Sequence, residues 1–158
     1  MELSKAAMSA GDPAKKAVVE EQMKRTHVLF TVHQHPYGTP VPVNPAITVM
    51  ATDVSVAPGI QSGRDQLLAL KMSLPQQRLD FKIIREPTDC TFGGKSFSRM
   101  DITVEAANGK TLYLSHVALV LNRYGIDFMF TAQGSDQLEV LVQTLNTLQF
   151  KPIPEPPK

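Results

Sequence analysis

The chain is short of the features that usually declare a chemistry. Its 158 residues hold one cysteine, Cys90, which excludes an internal disulfide and a multi-cysteine metal site. Charge of one sign is also missing: sixteen basic and fifteen acidic side chains leave a formal net charge of +1. With no Lys/Arg run, nucleic-acid binding by phosphate neutralisation is not expected. No apolar run approaches transmembrane length, and residues 1–26 have no hydrophobic signal core. A chain without disulfides suits a reducing compartment and equally an exported bacterial protein. Periplasmic or secreted residence is expected if a leader preceded Met1, and cytoplasmic residence otherwise. Phosphate loops, nucleophile–base pairs and internal repeats are absent too.

What the chain has is ordinary globular composition, 42% hydrophobic and 20% charged. That suits one domain burying roughly two-thirds of its unfolded surface. Residues 1–11 are expected to be flexible, 12–150 to form the domain, and the proline-rich 151–158 to be a disordered tail. Asp12-Pro13 reads as the start of an exposed amphipathic helix running to about Arg25.

The last third of the domain is the most legible. Met100, Ile102 and Val104 alternate with Arg99, Asp101, Thr103 and Glu105, which predicts a strand with one buried and one wet face. Asn108-Gly109 suits a tight type I′ turn. Thr111–Leu121 is apolar on both sides in its second half and predicts a strand covered on both faces. A reversal at Asn122–Gly125 leads to a strand with Ile126, Phe128 and Phe130 aligned. The period then changes to 3.6: Leu138, Leu141, Val142, Leu145 and Leu148 make a helical stripe, with Asp136 as N-cap and Glu139 completing a capping box.

Earlier elements are shorter. Thr26–His35 alternates, placing Val28, Phe30 and Val32 on one face and His27, Leu29, Thr31, His33 and His35 on the other. Four prolines and one glycine between Pro36 and Pro45 predict a loop of restricted backbone. Ile47–Val56 reads as a strand, Ser62 caps a helix running to about Leu74, and Leu79–Ile84 reads as a short strand. Asp89-Cys90 is expected in a loop before the Gly93-Gly94 turn. The sum is an α+β fold: an antiparallel sheet of about six strands flanked by helices on its faces.

This order resembles a known group. The Ser62–Leu74 helix ahead of the strands, the Gly93-Gly94-Lys95 turn, and Tyr124-Gly125-Ile126-Asp127-Phe128 before the Leu138–Leu148 helix are similar to the Mog/PsbP-like α/β/α sandwich superfamily. The bacterial DcrB-type exported proteins belong to the same group. The resemblance spans about Val28 to Phe150. It implies a binding or assembly module without a catalytic residue set, as in an accessory subunit of the plant oxygen-evolving complex and a Ran-binding import factor.

Several residues invite chemistry of their own. His33 and His35, two apart on a strand, would project from one face and could hold zinc or copper, with Asp53, Asp127 or His116 as a third ligand. Two histidines alone cannot fill a tetrahedral shell, so no metal and no cofactor is expected. Ser115 and His116 are adjacent on a strand and point to opposite faces, so they cannot pair as nucleophile and base. His116 reads as a core histidine held by a hydrogen bond. Lys82, Arg85, Lys95 and Arg99, interleaved with Asp80, Glu86, Asp89 and Asp101, read as a solvated mixed-charge surface. Three functions follow in order: docking of a protein partner through His33, His35 and Tyr37; small-ligand carriage between sheet and helix near Phe30, Phe128 and Phe130; and metal-dependent catalysis by His33 and His35.

Overall fold

The computed structural model describes residues 24–77, 79–106 and 109–151. The helix expected at Pro13–Arg25 lies almost wholly outside them, as do residues 1–11, Asn108 and most of the tail. Six strands form one open antiparallel sheet: β1 (Thr26–His33), β2 (Ala46–Asp53), β3 (Phe81–Phe92), β4 (Lys95–Glu105), β5 (Thr111–Leu121) and β6 (Tyr124–Ala132). Their spatial order is β1-β2-β6-β5-β4-β3. β3 to β6 therefore run as a meander, and the β1–β2 hairpin is added at its far side through β2 and β6. The α+β architecture expected from the residue pattern is the one observed.

Helix α1 (Gly63–Ser73) lies on one face and α2 (Ser135–Gln143) on the other. Below α1, Leu67 and Leu74 pack on Met100, Ile102, Val104 and Ala118. Below α2, Leu138, Val142 and Leu145 pack on Phe97, Val117, Leu119, Phe128 and Phe130. Each large side chain buried this way contributes roughly 1.5–3 kcal/mol. β5 supplies Val117 and Leu119 to one core and Ala118 to the other, which is why its sequence lacks a polar face.

The ends of α1 follow the residues. Ser62 Oγ accepts from Asp65 N, and the Asp65 carboxylate accepts from Ser62 N, a complete capping box. α2 differs from expectation: its N-cap is Gly134, with no side-chain cap bond. Glu139 turns inward instead, to Arg99. That ion pair with a buried cation outbids a solvent-side cap.

Three further expectations are corrected. β3 is one strand of twelve residues, so Asp89 and Cys90 lie on it rather than in a loop. The strand runs past its expected end at Ile84 and through Pro87, whose missing N–H costs no ladder bond on an edge strand, and the register shifts between Arg85 and Thr88 around it. The β4–β5 connection is longer than a two-residue turn: Ala106 N donates to Lys110 O and Gly109 N to Ala106 O, with Gly109 at φ 74. Finally, β1 ends at His33 and carries a bulge between Val28 and Phe30. The bulge puts Val28 on the α1 face, opposite Met50, and Phe30 and Val32 on the α2 face, opposite Val49 and Ile47.

Candidate functional site

The loop from Gln34 to Pro45 projects from the β1–β2 end of the sheet. Its proline content predicts restriction, and the hydrogen bonds supply it. Asn44 clamps His35 from both sides, with His35 N donating to Asn44 Oδ1 at 3.0 Å and Asn44 Nδ2 donating to His35 O at 2.8 Å. Gln34 N donates to Pro45 O at 2.8 Å, closing the base. At the tip, Pro36 O accepts from both Thr39 N and Thr39 Oγ1. Gly38 takes φ 86, the position a type II turn reserves for glycine. Tyr37 occupies the preceding corner and is 97% exposed. Gln133 Nε2 donates to Val43 O at 3.0 Å, tying the loop to the start of α2. Between Gln34 and Pro45 the only titratable side chains are His35 and Tyr37.

The strand expected to align His33 and His35 ends between them. His33 is the last residue of β1, and His35 lies in the bend beyond it, so strand parity no longer puts them on one face. The bulge at Leu29 also separates His27, opposite Ala51, from His33, opposite Ala46, onto different faces. Among the described residues no three His, Cys, Asp or Glu side chains are grouped to hold a metal ion. The third ligands considered for them are engaged elsewhere. Asp53 bonds Arg123 at 3.0 Å and accepts from Ser55 N; the Ser55 bonds and then Arg123 hold its carboxyl below the usual range. His116 Nδ1 and Asp127 Oδ2 meet at 2.8 Å.

The Ser115–His116 reading is sharpened by that contact. Ser115 donates to Asp101 on the α2 face, and His116 pairs with Asp127 on the α1 face. Burial works against the His116 imidazolium, and the charge and hydrogen bond of Asp127 outweigh it, so its pKa stands above the ordinary 6.5. Asp127 Oδ1 and Gln66 Oε1 are buried without a hydrogen-bond partner.

The largest departure from the sequence reading is on β4. Arg99 and Asp101 were expected on a wet face, yet both are buried. Asp101 accepts from Arg85 Nε and Arg99 Nε, each at 2.8 Å, and from Ser115 Oγ at 2.6 Å. Arg99 Nη1 reaches Glu139 on α2 at 2.8 Å. Burial opposes the Arg99 charge, and its bonds to Asp101 and Glu139 more than offset this. Alternation along β4 marks the outer face correctly. What makes it dry is α2, whose Glu139 comes from forty residues further on. Beside this network a hollow of about 390 Å³ is lined by Arg85, Thr88, Cys90, Arg99, Gln143 and Asn146, among others. Its arginines are committed to carboxylates. Cys90 is partly buried, and that burial pushes its thiol up and away from reactivity. Of the aromatics considered for a carried ligand, Phe128 and Phe130 are core and Phe30 is 51% exposed.

No protein-family profile matches the chain, and no curated protein matches it either. Among solved structures it is similar to a protein of unknown function, PA94 from Pseudomonas aeruginosa. The TM-score is 0.56 at 18% identity, over 81% of this chain and 84% of that one. The likeness is one of fold. A second structure, LpqN involved in cell envelope biogenesis of Mycobacterium tuberculosis, has TM-score 0.45 at 14% identity, over 76% of this chain and 73% of that one.

Proposed function

We propose that the chain is a non-catalytic protein-docking module, an assembly accessory of the Mog/PsbP-like kind, and that the Gln34–Pro45 loop is its contact surface. One observation carries the reading: Tyr37 stands 97% exposed at the tip of a loop whose backbone is braced at tip and base. Tyrosine is enriched at interface centres because it buries a large area with few rotatable bonds. A braced loop also loses less conformational freedom on binding than a slack one. The absence of Asp, Glu, Lys and Arg from the loop favours an uncharged, partly apolar partner surface. Docking of this kind uses no metal and should survive chelators.

The experiment places a photo-crosslinking phenylalanine analogue at position 37 in native extract. A single covalent adduct with a different protein is expected. Capture of that partner should fall at least about tenfold with Tyr37→Ala, while the melting temperature stays unchanged. Asn44→Ala, which frees His35, should weaken capture by a smaller factor through loop ordering. Equal capture by wild type and Tyr37→Ala would refute the reading.

A further inference from the structure

α2 lies mainly over β5 and β6, and the turn that follows it, Thr144–Thr147, approaches β3. Between that turn and β3 is the hollow beside the Arg99 network, about 390 Å³ in volume. Its floor is graded in polarity. Arg85, Thr88, Cys90 and Phe92 on β3 stand opposite Asp101, Arg99, Phe97 and Lys95 on β4, so they share the α2 face. They run from a half-exposed cation, through a hydroxyl and a partly buried thiol, to a buried aromatic ring.

The charged end has donors left over. Arg85 gives Nε to Asp101, and Arg99 gives Nε to Asp101 and Nη1 to Glu139. Both Nη atoms of Arg85 and Nη2 of Arg99 have no hydrogen-bond partner among the described residues. Both side chains line the hollow, and a guanidinium edge is a planar fork that fits a carboxylate. Arg99, 8% exposed at its side chain, is held by two carboxylates before any ligand arrives. The roof is braced too. Gln143 Nε2 donates to Glu139 at 2.7 Å, and Asn146 Nδ2 donates to Gln143 Oε1 at 2.8 Å. Groups ordered in advance lose little freedom on binding.

We infer that this hollow binds a small organic monocarboxylate, with its carboxylate on Arg85 and Arg99 and its apolar body over Cys90 and Phe92. The spare guanidinium N–H groups call for an acceptor, and a carboxylate matches their fork. Asp101 and Glu139 already balance the two cations, and Asp89 also borders the hollow. A dianion such as phosphate would therefore meet net repulsion, which a single negative charge meets far less. Cys90 and Phe92 offer little to a second polar group, so the body of the ligand is apolar. The volume falls at the lower end of the roughly 300–1,000 Å³ usual for small-molecule sites. β3 is the sheet edge opposite β1, so this inference does not depend on the docking role of Tyr37.

Isothermal titration calorimetry of the full chain with benzoate should give saturable binding with a Kd of about 1 mM or below. Benzamide, of the same shape without the charge, should bind at least about tenfold more weakly. Arg85→Gln should weaken benzoate binding at least about tenfold. Lys82→Gln removes the same charge from the same strand outside the hollow, and should change it less than about twofold. Both variants should melt close to wild type, because neither side chain is buried. Cys90 gives a second readout: benzoate at about ten times its Kd leaves roughly a tenth of the sites open, so alkylation by iodoacetamide should slow about tenfold. No saturable binding and an unprotected Cys90 would overturn the inference. Benzamide or inorganic phosphate binding as tightly as benzoate overturns the monocarboxylate class, and full affinity in Arg85→Gln overturns the site.

Discussion

Asp101→Asn isolates the buried ionic network with almost no change of shape. In the native protein Asp101 is 6% exposed at its side chain and Arg99 8%, whereas Arg85 and Glu139 are about half exposed. The substitution removes the negative charge and leaves Arg99 buried with Glu139 as its remaining carboxylate. Breaking a buried pair by deleting one partner costs about 3–5 kcal/mol, mostly the penalty of the stranded charge. Glu139 survives, which argues for the lower end, near ~3 kcal/mol. The half-exposed Arg85 contact adds less than ~1 kcal/mol, and the Ser115 hydroxyl about 1 kcal/mol. A total near ~4 kcal/mol is a large share of the 5–15 kcal/mol typical of a domain. Urea unfolding at neutral pH should show a much lower midpoint with an unchanged slope. Adding Arg99→Met should recover part of the loss, because the stranded cation goes with it. A loss under ~1 kcal/mol for Asp101→Asn would refute the reasoning, since it would mean water reaches Arg99 in solution.

Two other perturbations probe the opposite face. Gly63 opens α1 directly over β5, where an added Cβ would collide with the Ala118 carbonyl and sit 2.6 Å from its carbon. Gly63→Ala should therefore lift α1 off Leu67's pocket and destabilise by ~3 kcal/mol or more, whereas Gly134→Ala, with open space around it, should change stability by less than ~1 kcal/mol; equal effects in thermal unfolding would contradict the packing. His116 has a folded pKa above its ordinary 6.5, so its stabilisation is complete below that pH and is lost as pH rises through the folded value. The melting temperature should fall over that interval in wild type and not in His116→Gln, and a flat wild-type profile would show that the Asp127 pair does not hold the proton.

The parts of this fold legible in the residues are those set by local chemistry. Ser62 and Asp65 cap α1 as their spacing dictates, Ile126, Phe128 and Phe130 share a face, and Tyr37 sits at the tip of its proline-bounded loop. Errors arise where a distant element changes the environment. Asp136 and Glu139 have capping-box spacing, but Arg99 on β4 offers Glu139 a stronger partner. Arg99 and Asp101 alternate like surface residues and become core only because α2 returns over them. Leu79–Ile84 reads as a short strand because the sequence does not reveal that β3 is an edge that can carry Pro87, and His33 and His35 read as aligned because nothing in the alternation shows that β1 ends between them. Polar side chains buried by a helix that returns over their face carry no periodic signal.

The strand order has a kinetic consequence. β3, β4, β5 and β6 follow one another as neighbours, so each of their ladders closes a short stretch of chain. The ladder of β2 on β6 joins Ala46 to Thr131 and Asp53 to Tyr124, across more than half of the domain. Loop closure of that length has to be met before any of its contacts form. The meander with α1 and α2 can thus assemble as a unit, and the β1–β2 hairpin docks afterwards and opens first. Amide hydrogen exchange should divide the sheet at the β2–β6 seam, with the hairpin exchanging at a lower opening free energy than the four strands beside it. The loop proposed for docking, which joins β1 to β2, lies on the side of the molecule that arrives last.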